Sequence, residues 1–423
     1  MKILAFYGYY DPESVASGYL QNDIVEALSN CGVVHLHIPV PSRGVSKEVR
    51  DEYNKKRHEV QNDGRINIMR YGLIREGHNP LVRALRYFLQ NAKQYRIIQK
   101  SKDADLIFSG STPPTQSFTI ALAKKRLVKK TGRQIPFVYN LQDIFPDSLV
   151  GTGLAKKGGI LWKIGRVIEN FTYRNADKII VISEDFKRNI MAKGVPEEKI
   201  EVIYNWVDEN AVVDIPREEN KLFDKYGIDR SKFYIEYSGN IGLTQNMDML
   251  LDVMKKLKES HPDIGLVLVG EGAYKKQVEE IVARDGLTNV TMLPFQPYED
   301  ISHVFSLGDV GLVISKPGVG ANSVPSKTWS IMSASRPVLA NFDPNELQGI
   351  MEGSHPFSEE GKPCGIFTKA GDKEAFKAAI LHLYENRALC TEYGRNGREF
   401  ILRNLTKEVG TAKYVEVIKS VAL

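Results

Sequence analysis

Between Leu312 and Ala340 the chain reads LVISKPGVGANSVPSKTWSIMSASRPVLA, and these residue types in this order could hold an anion. An apolar, β-branched run meets a loop of glycines and small polar residues. The loop passes Pro325 into a helical pattern over Ser326–Ala334, and a second apolar strand follows at Val338. A strand, a small-residue loop and a helix N-terminus together aim backbone N–H groups and the positive end of a helix dipole at one point. The amides of Asn322, Ser323, Val324 and Ser326 would line that point, with Lys327 as the adjacent cation. A diphosphate is the ligand such a trap suits. The plainer alternative is a solvated first-turn lysine, although a cation there opposes the helix dipole by roughly a few tenths of a kcal/mol.

Other residues invite the same pairing of readings. Asn140, Gln142 and Asp143 close an apolar strand at Phe137–Leu141, and strand carboxyl ends are where α/β proteins collect polar groups. Asp143 could equally cap the next turn. Ser183, ahead of Glu184, is expected to cap a helix. The segment Pro80–Lys100 carries five basic residues, no acidic ones, and Leu, Tyr, Phe and Ile at helical spacing. Leu154–Tyr173 repeats the theme with Lys156, Lys157, Trp162, Lys163 and Arg166. Such helices fit an anionic membrane surface; the ordinary alternative turns the apolar face into the core.

The elements that must position these residues fall into two α/β halves. Strands are predicted at Lys2–Tyr7, Val33–Ile38, Ile66–Arg70, Leu106–Ser109, Phe137–Leu141, Ile179–Ser183 and Ile200–Tyr204, with helical patterns between several of them. The rhythm restarts with strands at Phe233–Ser238, Ile264–Val269, Val290–Leu293, Val310–Ile314, Val338–Ala340 and Gly365–Thr368. Alternation of this kind builds parallel, doubly wound sheets. Asp208–Asp229, with Pro216 and clustered charges, reads as a linker. The predicted domains are 1–207 and 208–406, followed by a helix at 407–423 returning to the first. Two such sheets would bind a ligand in the cleft between them.

Residues Tyr237–Asp252 (YSGNIGLTQNMDMLLD), Leu266–Glu279, Val290–Ser302, Gly308–Gly318 and VPSKTWSIMSASRPVLA, in this order and spacing, resemble the family 4 retaining glycosyltransferases. Within that family the chain looks most like bacterial O-antigen, capsule and colanic-acid transferases using fucosyl- or N-acetylfucosaminyl-type donors. The resemblance implies a GT-B fold of two Rossmann-like domains. The N-terminal domain would take a lipid-linked saccharide acceptor, and the C-terminal one a nucleotide-sugar, UDP favoured over GDP, with no permanently bound cofactor or metal. It also implies a cytoplasmic protein resting on the inner face of the cell membrane. By resemblance, Gly239, Asn240, Gln245, Gly270, Glu271, Phe295, Asn322 and Ser330 border the donor. Gly18, closing the loop Gly8–Gly18, borders the reacting sugar, and Asp143 meets that sugar. The family commonly has Arg and Lys where Asn240 and Gln245 stand, and Glu where Asn322 and Ser330 stand. Four charged positions are therefore neutral here. A site rebuilt around Lys327 is favoured; an inactive donor-binding subunit and a GT-B nucleotide-sugar 2-epimerase are the alternatives.

Charge is unevenly spread. Residues 1–200 hold 32 Lys and Arg against 20 Asp and Glu, net +12, and the remainder is net −7. One half thus suits an anionic surface, and no nucleic-acid-reading motif accompanies it. Cys31, Cys364 and Cys390 lack metal-ligand spacing, which predicts reduced thiols, and His35 and His37 alternate on a strand without identifiable metal partners. No apolar run reaches the roughly 18 residues of a membrane span, and the N-terminus reads as a buried strand rather than a leader.

Overall fold

The computed structural model describes residues 1–13, 18–77, 79–151, 155–320 and 324–422. Contacts divide them into two units, Met1–Tyr204 with the segment from Gly410 onward, and Asn205–Val409.

The first unit is built on eight strands: β1 Lys2–Phe6, β2 Val33–Pro39, β3 His58–Gln61, β4 Ile66–Tyr71, β5 Leu106–Gly110, β6 Phe137–Leu141, β7 Lys178–Val181 and β8 Ile200–Val202. They lie in the order β3-β4-β2-β1-β5-β6-β7-β8, all neighbours parallel except the β3–β4 pair. Strands β1, β5 and β6 are buried along almost their whole length. That is why they read as unbroken apolar runs rather than alternating ones. Ile98, Ile120, Leu127 and Tyr173, from three crossover helices, close one core against Phe137, Tyr139 and Ile179. The helix Lys407–Ala422 contributes Tyr414, whose hydroxyl bonds Asn140 Oδ1 at 3.1 Å.

The second unit carries β9 Phe233–Ser238, β10 Ile264–Val269, β11 Val290–Leu293, β12 Val310–Ile314, β13 Val338–Phe342 and β14 Gly365–Lys369. The all-parallel order is β11-β10-β9-β12-β13-β14. Order reverses between β9 and β12, which marks the ligand-binding edge of an open α/β sheet. Glycines bring the neighbouring helix close: a Cβ on Gly311 would collide with Ile331, so the helix Lys327–Ser333 lies tight on β12.

Three expectations change. The segment read as a linker contains a capped helix, Lys221–Tyr226, whose Leu222 and Phe223 are fully buried. The helix Lys47–Lys55 and the edge strand β3 had no apolar periodicity to announce them. The helix predicted from Ser326 begins one residue later and ends at Ser333.

Candidate functional site

In the second unit the loops leaving β9, β10 and β12 meet at the carboxyl edge of the sheet. Gly239 and Gly270 both have positive φ, +134° and +145°. Their backbones touch, and a Cβ on Gly270 would collide with the Gly239 carbonyl. The Ile241 amide donates to Glu271 O at 2.9 Å and locks the two loops together. Asn240 is exposed, and Tyr237 Oη donates to its carbonyl at 2.8 Å. The Gln245 side chain folds back to accept from Gly242 N at 3.1 Å. Asn240 Nδ2 and Gln245 Oε1 both crowd the α-carbon of Gly242. Asn240 and Gln245 thus hold the shape of this loop.

The positive charge comes from elsewhere. Lys327 opens its helix and lays its Nζ over the Tyr237 ring, 3.5 Å from the centroid. The same atom is 3.2 Å from where a Cβ on Gly239 would stand, so glycine makes room for it. Lys327 makes no ion pair among the described residues, and burial pushes its ammonium down to about 7, with Glu236 pulling the other way. A solvated first-turn lysine would not lay its ammonium on a ring or feel burial in this way. Lys316, on the loop leaving β12, is a second cation; its amide donates to Thr244 O at 2.8 Å and its Nζ lies 5.8 Å from the Tyr274 ring centroid. Asp343 pins the start of the small-residue loop by accepting from Gly318 N at 3.0 Å and Gly320 N at 2.7 Å.

Three of these residues escaped sequence reasoning. Lys316 and Asp343 sit in loops where charge is ordinary. Glu236 carried a visible signal, an acid inside the apolar run FYIEYS. It is buried, and neither carboxylate oxygen has a hydrogen-bond partner among the described residues.

The remaining donor positions divide. Asn322 and Ser323 lie outside the described residues. Val324 is half-buried, Ser326 exposed and Ser330 half-buried one turn after Lys327. The amides of Thr328 and Trp329 are already engaged with Pro325 O and Ser326 O. The Glu271 carboxylate pairs with Lys275 at 2.7 Å. Phe295 is 73% exposed and so is not part of the core. Gln296 is buried and bonded to Tyr226 and Lys225, a structural role.

In the first unit, Gly18 opens the helix Gly18–Ser29, and residues 14–17 of its loop lie outside the described residues. Gly8 packs so closely on Thr112 and Pro113 that a Cβ would stand 2.6 Å from both. Asp143 is exposed just beyond β6, with the Ser148 hydroxyl as its partner. Near it, Tyr7, Gln21, Ser111, Asn140 and Gln142 line a cavity of about 50 Å³ without a charged wall. Ser183 does cap its helix, accepting from Phe186 N at 3.0 Å. His37 is buried against Phe6, and burial pushes its imidazole down to about 4.

The basic segments reverse the usual amphipathic pattern. In the helix Pro80–Lys100, Arg86 is buried while Leu81, Leu85 and Phe88 face solvent, Leu81 at 79%. The helix Ile160–Asn175 likewise exposes Ile160, Leu161, Ile164 and Val167 beside Lys163. Leu154 of the second segment lies outside the described residues. The alternative that these apolar residues face the core fails for the first two turns of both helices. Among the described residues, no helix is long and apolar enough to cross a membrane.

Residues 218–400 match the family Glycosyl transferases group 1, and residues 48–211 match Glycosyltransferase Family 4. WcaI of Escherichia coli, assigned to colanic acid biosynthesis as a glycosyl transferase, is 24% identical over 99% of this chain and 100% of its own. WbjE of Pseudomonas aeruginosa, a glycosyltransferase by name, is 26% identical over 58% of this chain and 59% of its own. Among solved structures, HepE of Anabaena in complex with UDP superposes over all of both chains with a TM-score of 0.70 at 18% identity. WaaG, a glycosyltransferase involved in lipopolysaccharide biosynthesis, has a TM-score of 0.64 at 14% identity over 98% of this chain and 99% of its own.

Proposed function

We propose, for a chain that is a glycosyltransferase of the GT-B type, that it moves a sugar from a UDP-sugar to a lipid-linked saccharide during bacterial surface-polysaccharide synthesis, with retention at the anomeric carbon. The observation that carries this reading is the Lys327 ammonium, lying over Tyr237 beside the Gly239–Gly270 contact with no ion pair among the described residues. A pyrophosphoryl group placed there would meet Lys327 and Lys316 and the turn following β9. In the reaction the bond from the anomeric carbon to the diphosphate oxygen breaks, and the acceptor hydroxyl oxygen bonds to that carbon. The hydroxyl proton passes to the departing phosphate oxygen. Charge accumulates on the leaving group, so fixed cations and amides stabilise the transition state more than the ground state. An N-acetylfucosamine- or fucose-type sugar fits the resemblance to O-antigen and colanic-acid transferases, and Asp143 and Gly18 are the first-unit residues we place at it.

Thermal unfolding with UDP-, GDP- and dTDP-sugars, repeated on Lys327→Ala, tests the donor site. Specific binding at a hundredfold excess over Kd stabilises by about 2.7 kcal/mol. Lys327→Ala is expected to weaken binding at least tenfold, about 1.4 kcal/mol. Unchanged affinity in that variant would remove Lys327 from the site, and epimer formation from the donor would replace transfer with a different reaction.

The exposed apolar turns at Leu81–Phe88 and Ile160–Val167, with Lys156, Lys157 and Lys163, support a cytoplasmic protein bound peripherally to an anionic membrane. Co-sedimentation with vesicles containing phosphatidylglycerol should fall in a Leu85→Ser/Ile164→Ser variant and at high salt. Equal recovery on neutral and anionic vesicles would count against this surface.

A further inference from the structure

The edge strand β3 reads HEVQ and pairs antiparallel with β4, Glu59 opposite Ile68 and Gln61 opposite Ile66. Residues two apart on a strand share a face with their cross-strand partners. Ile66, Ile68 and Arg70 therefore look the same way as Glu59 and Gln61. The helix Gly18–Ser29 borders that face with Asn22 and Glu26, one turn apart. Between helix and strands runs a groove of about 330 Å³, separate from the cavity near Asp143. Tyr10 closes one end and stacks on Tyr7 of that cavity, ring centroids 6.2 Å apart. Asn62 closes the other; its Nδ2 donates to Ser29 Oγ at 2.7 Å and ties the β3–β4 turn to the helix. Arg70 is held rigidly in the wall, its side chain 2% exposed. Its Nε donates to Glu59 Oε1 at 3.1 Å and its Nη2 to Asp11 O at 2.7 Å, and the guanidinium carbon lies 4.4 Å from the centroid of the Tyr53 ring. Nη1 has no hydrogen-bond partner among the described residues. A buried donor fixed in place and left unpaired is costly unless something outside the chain accepts from it.

We propose that this groove is a saccharide subsite, which takes a short run of uncharged sugar units of the acceptor that do not themselves react. This rests on the reading that the first unit takes a saccharide acceptor. A pyranose has apolar C–H faces and a rim of vicinal hydroxyls, each both donor and acceptor. Ile66, Ile68 and the Tyr10 ring line the bed on which such a face can lie. Asn22 and Gln61, both exposed, offer amide donors and acceptors to the rim, Glu26 offers acceptors, and Arg70 Nη1 offers a donor. The volume lies within the range of small-ligand clefts. Charge narrows the class further. Glu59 and Arg70 compensate each other, so Asp11 and Glu26 set the field, which turns away phosphates and uronic acids. The groove begins at Tyr10, beyond the carboxyl end of β1, and runs along β4 towards Ile66 at that strand's start. It thus leads away from the carboxyl edge of the sheet, and a sugar bound along it is read rather than transformed.

The test applies the labelled full chain to an array of neutral and acidic oligosaccharides, with calorimetric titration of UDP on the same preparations. The wild-type protein should bind neutral oligosaccharides in preference to acidic ones. Asn22→Ala/Gln61→Ala should weaken that binding about tenfold, the loss of one or two hydrogen bonds. Asn22→Trp fills the groove from an exposed helix position and should abolish it. Both variants alter exposed side chains of the first unit, so Tm and UDP affinity should match wild type. Neutral-saccharide binding that survives Asn22→Trp overturns the groove and leaves the acceptor reading standing. A preference for acidic oligosaccharides overturns the argument from charge and the proposal with it. If the wild-type protein binds UDP and no oligosaccharide, the acceptor reading fails and this inference falls with it. Groove-dependent saccharide binding without UDP binding supports the subsite and counts against the donor site instead.

Discussion

The two sheets end in opposite ways. At the carboxyl edge of the first, the buried polar groups around Asn140 are neutral, with Gln142 Nε2 and Tyr414 Oη sharing Asn140 Oδ1 at 3.0 and 3.1 Å, and the acid Asp143 lies exposed beyond them. Two buried acids of that unit are satisfied internally. Glu13 accepts from the amides of Ser42 and Arg43 at 2.8 and 2.9 Å, and Glu169 holds Lys193 at 2.9 Å, Arg166 and the Tyr173 hydroxyl at 2.6 Å. At the edge of the second sheet, Lys327 and Lys316 make no ion pair and Glu236 no hydrogen bond among the described residues. Buried charge that is paired serves the fold, whereas buried charge without a partner marks a candidate ligand site. The first edge suits an uncharged polyol and the second a polyanion.

The largest effect expected from this contrast is on stability. Glu169→Ala leaves the largely buried Lys193 with Asp147 as its one remaining carboxylate, at 2.7 Å, and frees Arg166 and Tyr173. Removing one member of a buried ionic network costs about 3 kcal/mol or more. Urea unfolding should register that loss, while UDP affinity of the folded protein stays at the wild-type value. A loss of affinity without a loss of stability would show that charge in the first unit also serves the ligand.

Much of the architecture was legible because buried parallel strands must be apolar throughout. Phe137–Leu141, Phe233–Ser238 and Ile264–Val269 were predicted to the residue. The helix Lys221–Tyr226 was hidden because its six residues carry three charges and only two core contacts. At the candidate site, the place of Lys327 at a helix start was legible from the small-residue loop before it, and the positions of the glycines from the motifs that contain them. The burial of Glu236 was not, since an acid in a strand is usually at an edge or on a solvent face. The register with Gly311 and the gap left by Gly308 put it inside the covered face of the sheet. The basic helices misled in part, because periodicity gives the spacing of apolar residues but not which face the sheet covers. Arg86 is inside, bonded to Ile74 O at 2.5 Å, and Phe88 is outside.

Lys316 gives the smaller and sharper test of the second edge. Its backbone is fixed by Thr244 O, yet its ammonium is farther from an aromatic face than that of Lys327, 5.8 Å against 3.5 Å. Both residues are half-buried, but the Lys316 ammonium lacks the close aromatic cover that Tyr237 gives Lys327, so solvent screens it more and its pull on a diphosphate is weaker. Lys316→Ala should therefore cost a few-fold in UDP affinity, about 0.5–1 kcal/mol, and that cost should shrink as salt is raised. The Lys327→Ala loss should persist in salt, because its ammonium is covered by the Tyr237 ring. If the two lysines grip the same phosphates, the double variant should lose less or more than the sum of the singles. Strict additivity, with equal salt dependence at both positions, would mean that Lys316 acts from a distance and that Lys327 alone replaces the cations missing at Asn240 and Gln245.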